Sequence, residues 1–98
     1  MMRFEFDWDS AKAESNRRKH GVAFEDAMGV FSDPLALSRL DDGSGEGEER
    51  WVTIGLNTVT NLLLVVHTYI ELSAEQAAIR IISARRPTRR EVQQYHEG

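Results

Sequence analysis

Two stretches, residues 62–69 and 78–91, hold the side chains best suited to chemistry on an anion. The first carries His67 in an otherwise apolar run, and the second carries Arg80, Arg85, Arg86, Arg89 and Arg90. No acidic residue lies between Ile79 and Arg90. An arginine presents a planar fork that donates two parallel hydrogen bonds to a phosphate or carboxylate. A histidine changes charge near neutrality and so can move a proton. Together they mark an anion site.

Were the anion RNA, its cleavage without a metal would need such parts. A base takes the proton of the ribose 2′-OH, cations stabilise the phosphoryl oxygens, and an acid protonates the leaving 5′-oxygen. His67 is the candidate for proton transfer, with Arg80 on an adjacent strand. Arg80 alternates with Ile79 and Ile81, which sets it on the face of Ile82 and Ala84. Arg85 and Arg86 sit where a strand gives way to a helix, the best phosphate position in the chain. Arg89 and Arg90 occupy the first helical turn, where cations oppose the helix dipole. That conflict with local preference favours function over a solvated face.

Lys12, Asn16 and Lys19 make a polar ridge at helical spacing that would flank an RNA groove. His20 and Tyr95 are secondary candidates. Each residue also has a plainer reading. His67 can be a satisfied, half-buried histidine, and Arg80 a surface arginine. Lys19 and His20 suit a helix C-terminus, Tyr95 and Trp8 suit core anchors, and the ridge suits plain surface. Asp7 and Asp9 are explained by capping, and no histidine–carboxylate spacing of metal type occurs. No metal or other cofactor is expected.

The elements that must position these residues follow from periodicity. Phe4, Phe6 and Trp8 alternate with acids as a short strand. Residues 10–20 form a surface helix capped by Asp7 or Asp9 and stopped by Gly21. Phe24, Ala27, Met28 and Phe31 recur at the spacing of one amphipathic helix, ended by Asp33 and Pro34. Residues 35–40 read as an edge strand and residues 41–49 as a polar loop. Residues 51–56 and 62–69 read as a hairpin, 70–76 as a connection, and 77–84 as the third long strand. Thr88 and Glu91 make a capping box for a short last helix. The expected fold is α+β: a short N-terminal strand, two helices on one face, an antiparallel meander and a C-terminal helix.

Length and composition set the bounds. Ninety-eight residues make one domain with one modest core. The absence of cysteine excludes disulfides and thiolate chemistry. The start lacks a signal-peptide pattern, and no apolar run is long enough to cross a bilayer, so no membrane partner and a cytoplasmic location are expected. The net charge of −4 is unevenly spread, with acids crowding residues 41–49 and cations elsewhere, so a local patch can still bind a polyanion.

Several motifs also occur in order: Phe6-Asp-Trp-Asp, Asn16-Arg-Arg-Lys-His-Gly21, Phe24-Glu-Asp-Ala27, Gly47-Glu-Glu-Arg50 and Ile79-Arg-Ile-Ile-Ser-Ala-Arg-Arg. On these the chain resembles the BrnT-type toxins of bacterial toxin–antitoxin pairs. The resemblance implies a RelE-like fold and a ribonuclease that halts translation by cutting RNA. It also implies a BrnA-like ribbon-helix-helix antitoxin, contact with operator DNA only through that antitoxin, and a complex that can be dimeric. Ala23 stands where the family has a capping residue, and the connection after Tyr69 is longer than the family's. A non-catalytic module holding RNA or an acidic segment on the same arginines is the alternative. A DNA-binding regulator is weaker, since no recognition helix stands out.

Overall fold

The computed structural model describes residues 2–41, 49–57 and 61–98. Residues 42–48 of the polar loop expected at 41–49, and residues 58–60 of the hairpin turn expected at 57–61, lie outside these. Strand β1 (Arg3–Asp7) is followed by α1 (Ser10–His20), α2 (Phe24–Ala27) and a 3-10 turn (Met28–Ser32). Then come β2 (Leu37–Leu40), β3 (Trp51–Leu56), β4 (Leu62–His67), β5 (Ile70–Ser73), β6 (Gln76–Arg85) and α3 (Arg89–Glu97). The sheet order is β1-β6-β4-β3-β2, with β5 paired to the start of β6. Among the described residues only β1 against β6 is parallel, from Arg3↔Gln76 to Asp7↔Arg80. The expected α+β fold is the one found, with β5 added to the expected order.

The helix face of the sheet carries the core. Phe24, Ala27, Val30, Leu63, Val65, Ile79, Ile81 and Ala84 are buried there, with Phe4, Phe6 and Phe31 packed against them. On the other face α3 lies over β3 and β4, its Glu91 and Gln94 lining a groove with Val52, Ile54 and Leu64. Tyr95 anchors α3 as a core residue, and its hydroxyl donates to Asp33 Oδ2 at 2.6 Å. Asp33 also accepts from the backbone N–H groups of Leu35 and Leu56. Burial alone would raise the Asp33 pKa, but these bonds together hold it below the usual carboxylate value. Gly55 makes this join possible: a Cβ there would meet Val30 Cγ1 at 3.0 Å and Ala36 Cβ at 3.1 Å.

Four expectations are corrected. The second helix is a single α-turn followed by a 3-10 turn. Ala23 gives it no side-chain cap, and the buried residues Phe24, Ala27 and Val30 recur every three positions, the 3-10 period. The connection after Tyr69 contains β5, which hairpins onto β6. The polar ridge of α1 loses its middle member, because Asn16 is buried. Its amide donates to Val22 O at 3.0 Å and Ala84 O at 2.8 Å, and its carbonyl accepts from Ala84 N at 3.1 Å. This amide is what fastens α1, which has almost no apolar face, to the sheet. Finally, Arg80 does not share a face with Ala84. Val66 pairs with Ser83 but His67 with Ile81, so a bulge at Ile82 inverts the alternation. Ala84 returns to the core, while Arg80 stays exposed on the opposite face.

Candidate active site

His67 ends β4 at 2% exposure, opposite Trp51 on one side and Ile81 on the other. The Phe31 ring stands edge-on to it, centroids 4.7 Å apart. Nδ1 lies 2.9 Å from the Thr68 carbonyl and Nε2 lies 2.7 Å from Thr53 Oγ1. A carbonyl only accepts, so Nδ1 carries the proton and Nε2 of the neutral ring is an acceptor. Burial lowers the His67 pKa from its ordinary value, although the bond to the Thr68 carbonyl opposes this. The ring is therefore neutral at neutral pH. Beside it opens a cleft lined by Ser38, Trp51, His67 and Tyr69.

Arg80 contributes to His67 through its backbone and not its charge. The Thr68 N–H donates to the Arg80 carbonyl at 3.0 Å, and the Arg80 N–H donates to Thr68 Oγ1 at 3.2 Å. By taking that N–H with its side chain, Thr68 leaves its own carbonyl for His67 Nδ1. The Arg80 guanidinium emerges on the other face, 3.4 Å from Asp7 Oδ2, with both side chains well exposed. The expectation that the Arg80 charge sits beside His67 is thus corrected, and the bulge is the reason.

The arginine run is not free of acids either. Arg85, on the α3 face, forms a two-pronged pair with Glu91 at 2.9 and 3.0 Å. Glu91 Oε1 also accepts from the Thr88 N–H, completing the predicted capping box. The Arg85 bond holds the Glu91 pKa down at about 2, and the same bond raises that of Arg85. Arg85 pairs with Leu64, three residues along β4 from His67 and so about 10 Å from its level. His67, Arg80 and Arg85 therefore do not converge.

The remaining candidates lie at one end of β6. Arg86, Arg89 and Arg90 are exposed at the entry to α3. Lys12, Lys19 and His20 line a groove between α1 and the edge of β6, with Ile82 and Ser83 as its other wall. Among the described residues no group of three or more histidine or carboxylate side chains is arranged to hold a metal.

A family model described as a ribonuclease toxin, BrnT, of type II toxin-antitoxin system, matches residues 8–91. The chain belongs to this family. A solved relative in fold is the Brucella abortus ribonuclease toxin BrnT, known from a 1.1 Å crystal structure. It is 21% identical with a TM-score of 0.58, over 89% of this chain and 100% of that one. The RelE-like architecture of BrnT is thus present here. No curated protein matches. Among the described residues no helix is long and apolar enough to cross a membrane.

For this BrnT-family chain, sequence reasoning passed over Ser38, Thr53 and Trp51. Thr53 left a signal, as a hydroxyl inside the apolar run Trp51–Leu56. Its pairing with Ser38 and His67 depends on strand register, which periodicity alone does not fix.

Proposed function

We propose that this chain is a single-domain cytoplasmic toxin that cuts RNA without a metal and so blocks translation. In this reading the ribose 2′-OH attacks its own phosphodiester, leaving a 2′,3′-cyclic phosphate and a 5′-OH. His67 is the proton acceptor. Arg86, Arg89, Arg90, Lys12 and Lys19 bind RNA phosphates, and Arg85 holds the entry to α3 in place through Glu91. A BrnA-like ribbon-helix-helix antitoxin neutralises the toxin and carries the pair to operator DNA.

The observation that carries the reading is a neutral imidazole whose acceptor nitrogen faces a hydroxyl, in a chain of the ribonuclease toxin family. Incubation of the purified chain with single-stranded RNA in EDTA tests it. Fragments with cyclic phosphate ends are expected, and none from 2′-O-methyl RNA. RNA that binds tightly but stays intact in EDTA and in added magnesium would favour the binding module, with its arginines as the holding surface.

A further inference from the structure

His67 is too deeply buried to touch a ribose, yet it is connected to the surface. Ser38 Oγ lies 2.7 Å from Thr53 Oγ1, which lies 2.7 Å from His67 Nε2. Ser38 itself is exposed on the edge strand β2 and lines the cleft between Trp51 and Tyr69. The direction of both bonds follows from counting protons. The Thr68 carbonyl obliges Nδ1 to keep the ring proton. Nε2 must then accept from the Thr53 hydroxyl, which has a single hydrogen. With that hydrogen committed, Thr53 Oγ1 can only accept from Ser38. The Ser38 oxygen is left facing the cleft as an acceptor.

We infer that Ser38, Thr53 and His67 form a hydroxyl relay, and that the cleft between Trp51 and Tyr69 receives the nucleotide whose 2′-OH gives up its proton. The inference rests on the reading of His67 as the proton acceptor, and it adds the route and the place. In the forward step the 2′-OH proton passes to Ser38 Oγ, the Ser38 proton to Thr53 Oγ1, and the Thr53 proton to His67 Nε2. The 2′-oxygen forms its bond to phosphorus as the bond to the 5′-oxygen breaks, and the leaving oxygen takes a proton from water. The imidazolium then returns its proton outward along the same hydroxyls, so the cycle closes without net change in protons.

The cleft fits a base and ribose better than a phosphate. Its lining among the described residues offers two aromatic rings, the hydroxyls of Ser38 and Tyr69 and a neutral imidazole, with no charged side chain. Aromatic faces stack bases of any sequence. Tyr69 is 37% exposed, so its ring is available from solvent. Thr53, at 2% exposure, has no role in binding and lies only between the two ends.

Single-turnover cleavage of a mixed-sequence RNA oligonucleotide tests the relay. Ser38→Ala and Thr53→Val should each lower the maximal rate about 10²-fold or more, with little change in half-saturating RNA. The two combined should be no slower than the worse single variant, since one broken link stops the chain. Ser38→Thr should keep a rate close to the parent's. Should Thr53→Val fail to fold, Thr53→Ser serves instead, and it should keep the parent rate by retaining the hydroxyl. If folded Ser38→Ala cuts at the parent rate while His67→Gln is inactive, the relay is overturned and the base reading stands. If His67→Gln also cuts at the parent rate, both are overturned. A folded Ser38→Thr as slow as Ser38→Ala would overturn the relay as well.

Discussion

On the helix side of the sheet, His67 is 2% exposed and both ring nitrogens are bonded to uncharged groups. On the α3 side, the Arg85 side chain is 37% exposed and faces a full negative charge on Glu91. The first arrangement fixes a tautomer, and the second fixes a helix entry. A buried neutral group can be held in one tautomer by one hydrogen bond, because burial has already penalised the charged form. A half-exposed ion pair cannot do this, since solvent screens it and its contribution is small. On the proposed function, chemistry belongs to the uncharged side and scaffolding to the charged one, the reverse of what charge density alone suggests.

The sharpest break of this comparison is at His67. His67→Gln keeps approximate size and hydrogen bonding but cannot take the proton. Cleavage should fall about 10²–10⁴-fold with the fold retained. The lowered pKa of His67 fixes the pH profile of the parent. The acceptor is neutral above that lowered value, so the rate should hold through neutrality and fall only below about 6.5. An acid limb lying above 6.5 in the folded protein would exclude His67 as the base.

Next in size is Asn16, which ties α1 to the strand that leads into the arginines. Asn16→Ala removes the partners of the Ala84 N–H and of two carbonyls. A buried group left without its partner costs about 1–3 kcal/mol, so urea unfolding should show a loss of about 3 kcal/mol. A loss below about 1 kcal/mol would mean that water replaces the amide and that α1 is fastened by other contacts.

These two residues also show what was legible in the sequence. The order of elements apart from β5, a cap at Asp7 or Asp9, the Thr88 cap and the Gly21 stop were readable, because each rests on local chemistry at a fixed offset. Gly21 at φ 72° is a conformation that glycine adopts without cost. The bulge at Ile82 was missed, although the adjacent Ile81 and Ile82 break the apolar and polar alternation of β6 at that point. That one extra residue separated Arg80 from His67 and hid the Asn16 bond to Ala84. The Arg85–Glu91 pair was missed for a different reason. Glu91 lies six residues on, beyond the stretch free of acids, and only the turn at residues 86–88 brings it back.

A smaller effect should come from Glu91, which closes both the capping box and the Arg85 pair. Glu91→Ala should cost about 1–2 kcal/mol, from a lost cap and a half-exposed ion pair together. Acid unfolding then separates the two sides of the sheet. His67 has a lowered folded pKa, so the unfolded chain binds its proton more readily, and stability should decline as pH falls below about 6.5. Glu91 is lowered from 4.5 to about 2, so its contribution is complete above 4.5 and is lost as pH falls toward about 2. His67→Gln should remove the first decline alone and Glu91→Gln the second. Loss of both declines in either variant would mean that the two faces titrate as one unit.

The smallest effect expected is in the salt dependence of RNA binding, and it tests the division among the arginines themselves. Each cation on an RNA phosphate releases a counterion, which gives a slope of about −0.7 in log affinity against log salt. Arg86, Arg89 and Arg90 are exposed at the head of α3, and none of them forms an ion pair among the described residues. Substituting any one of them by alanine should make the slope shallower by about 0.7. Arg85 already faces the Glu91 carboxylate, so its charge is compensated before RNA arrives. Arg85→Ala should therefore leave the slope unchanged while lowering stability by about 1 kcal/mol or less. The same reasoning applies to Arg80 and Asp7, with a smaller stability cost because both side chains are more exposed. If Arg85→Ala flattens the slope as much as Arg86→Ala does, RNA must displace Glu91. The pair would then be a latch that opens on binding, and the α3 side would join the substrate site.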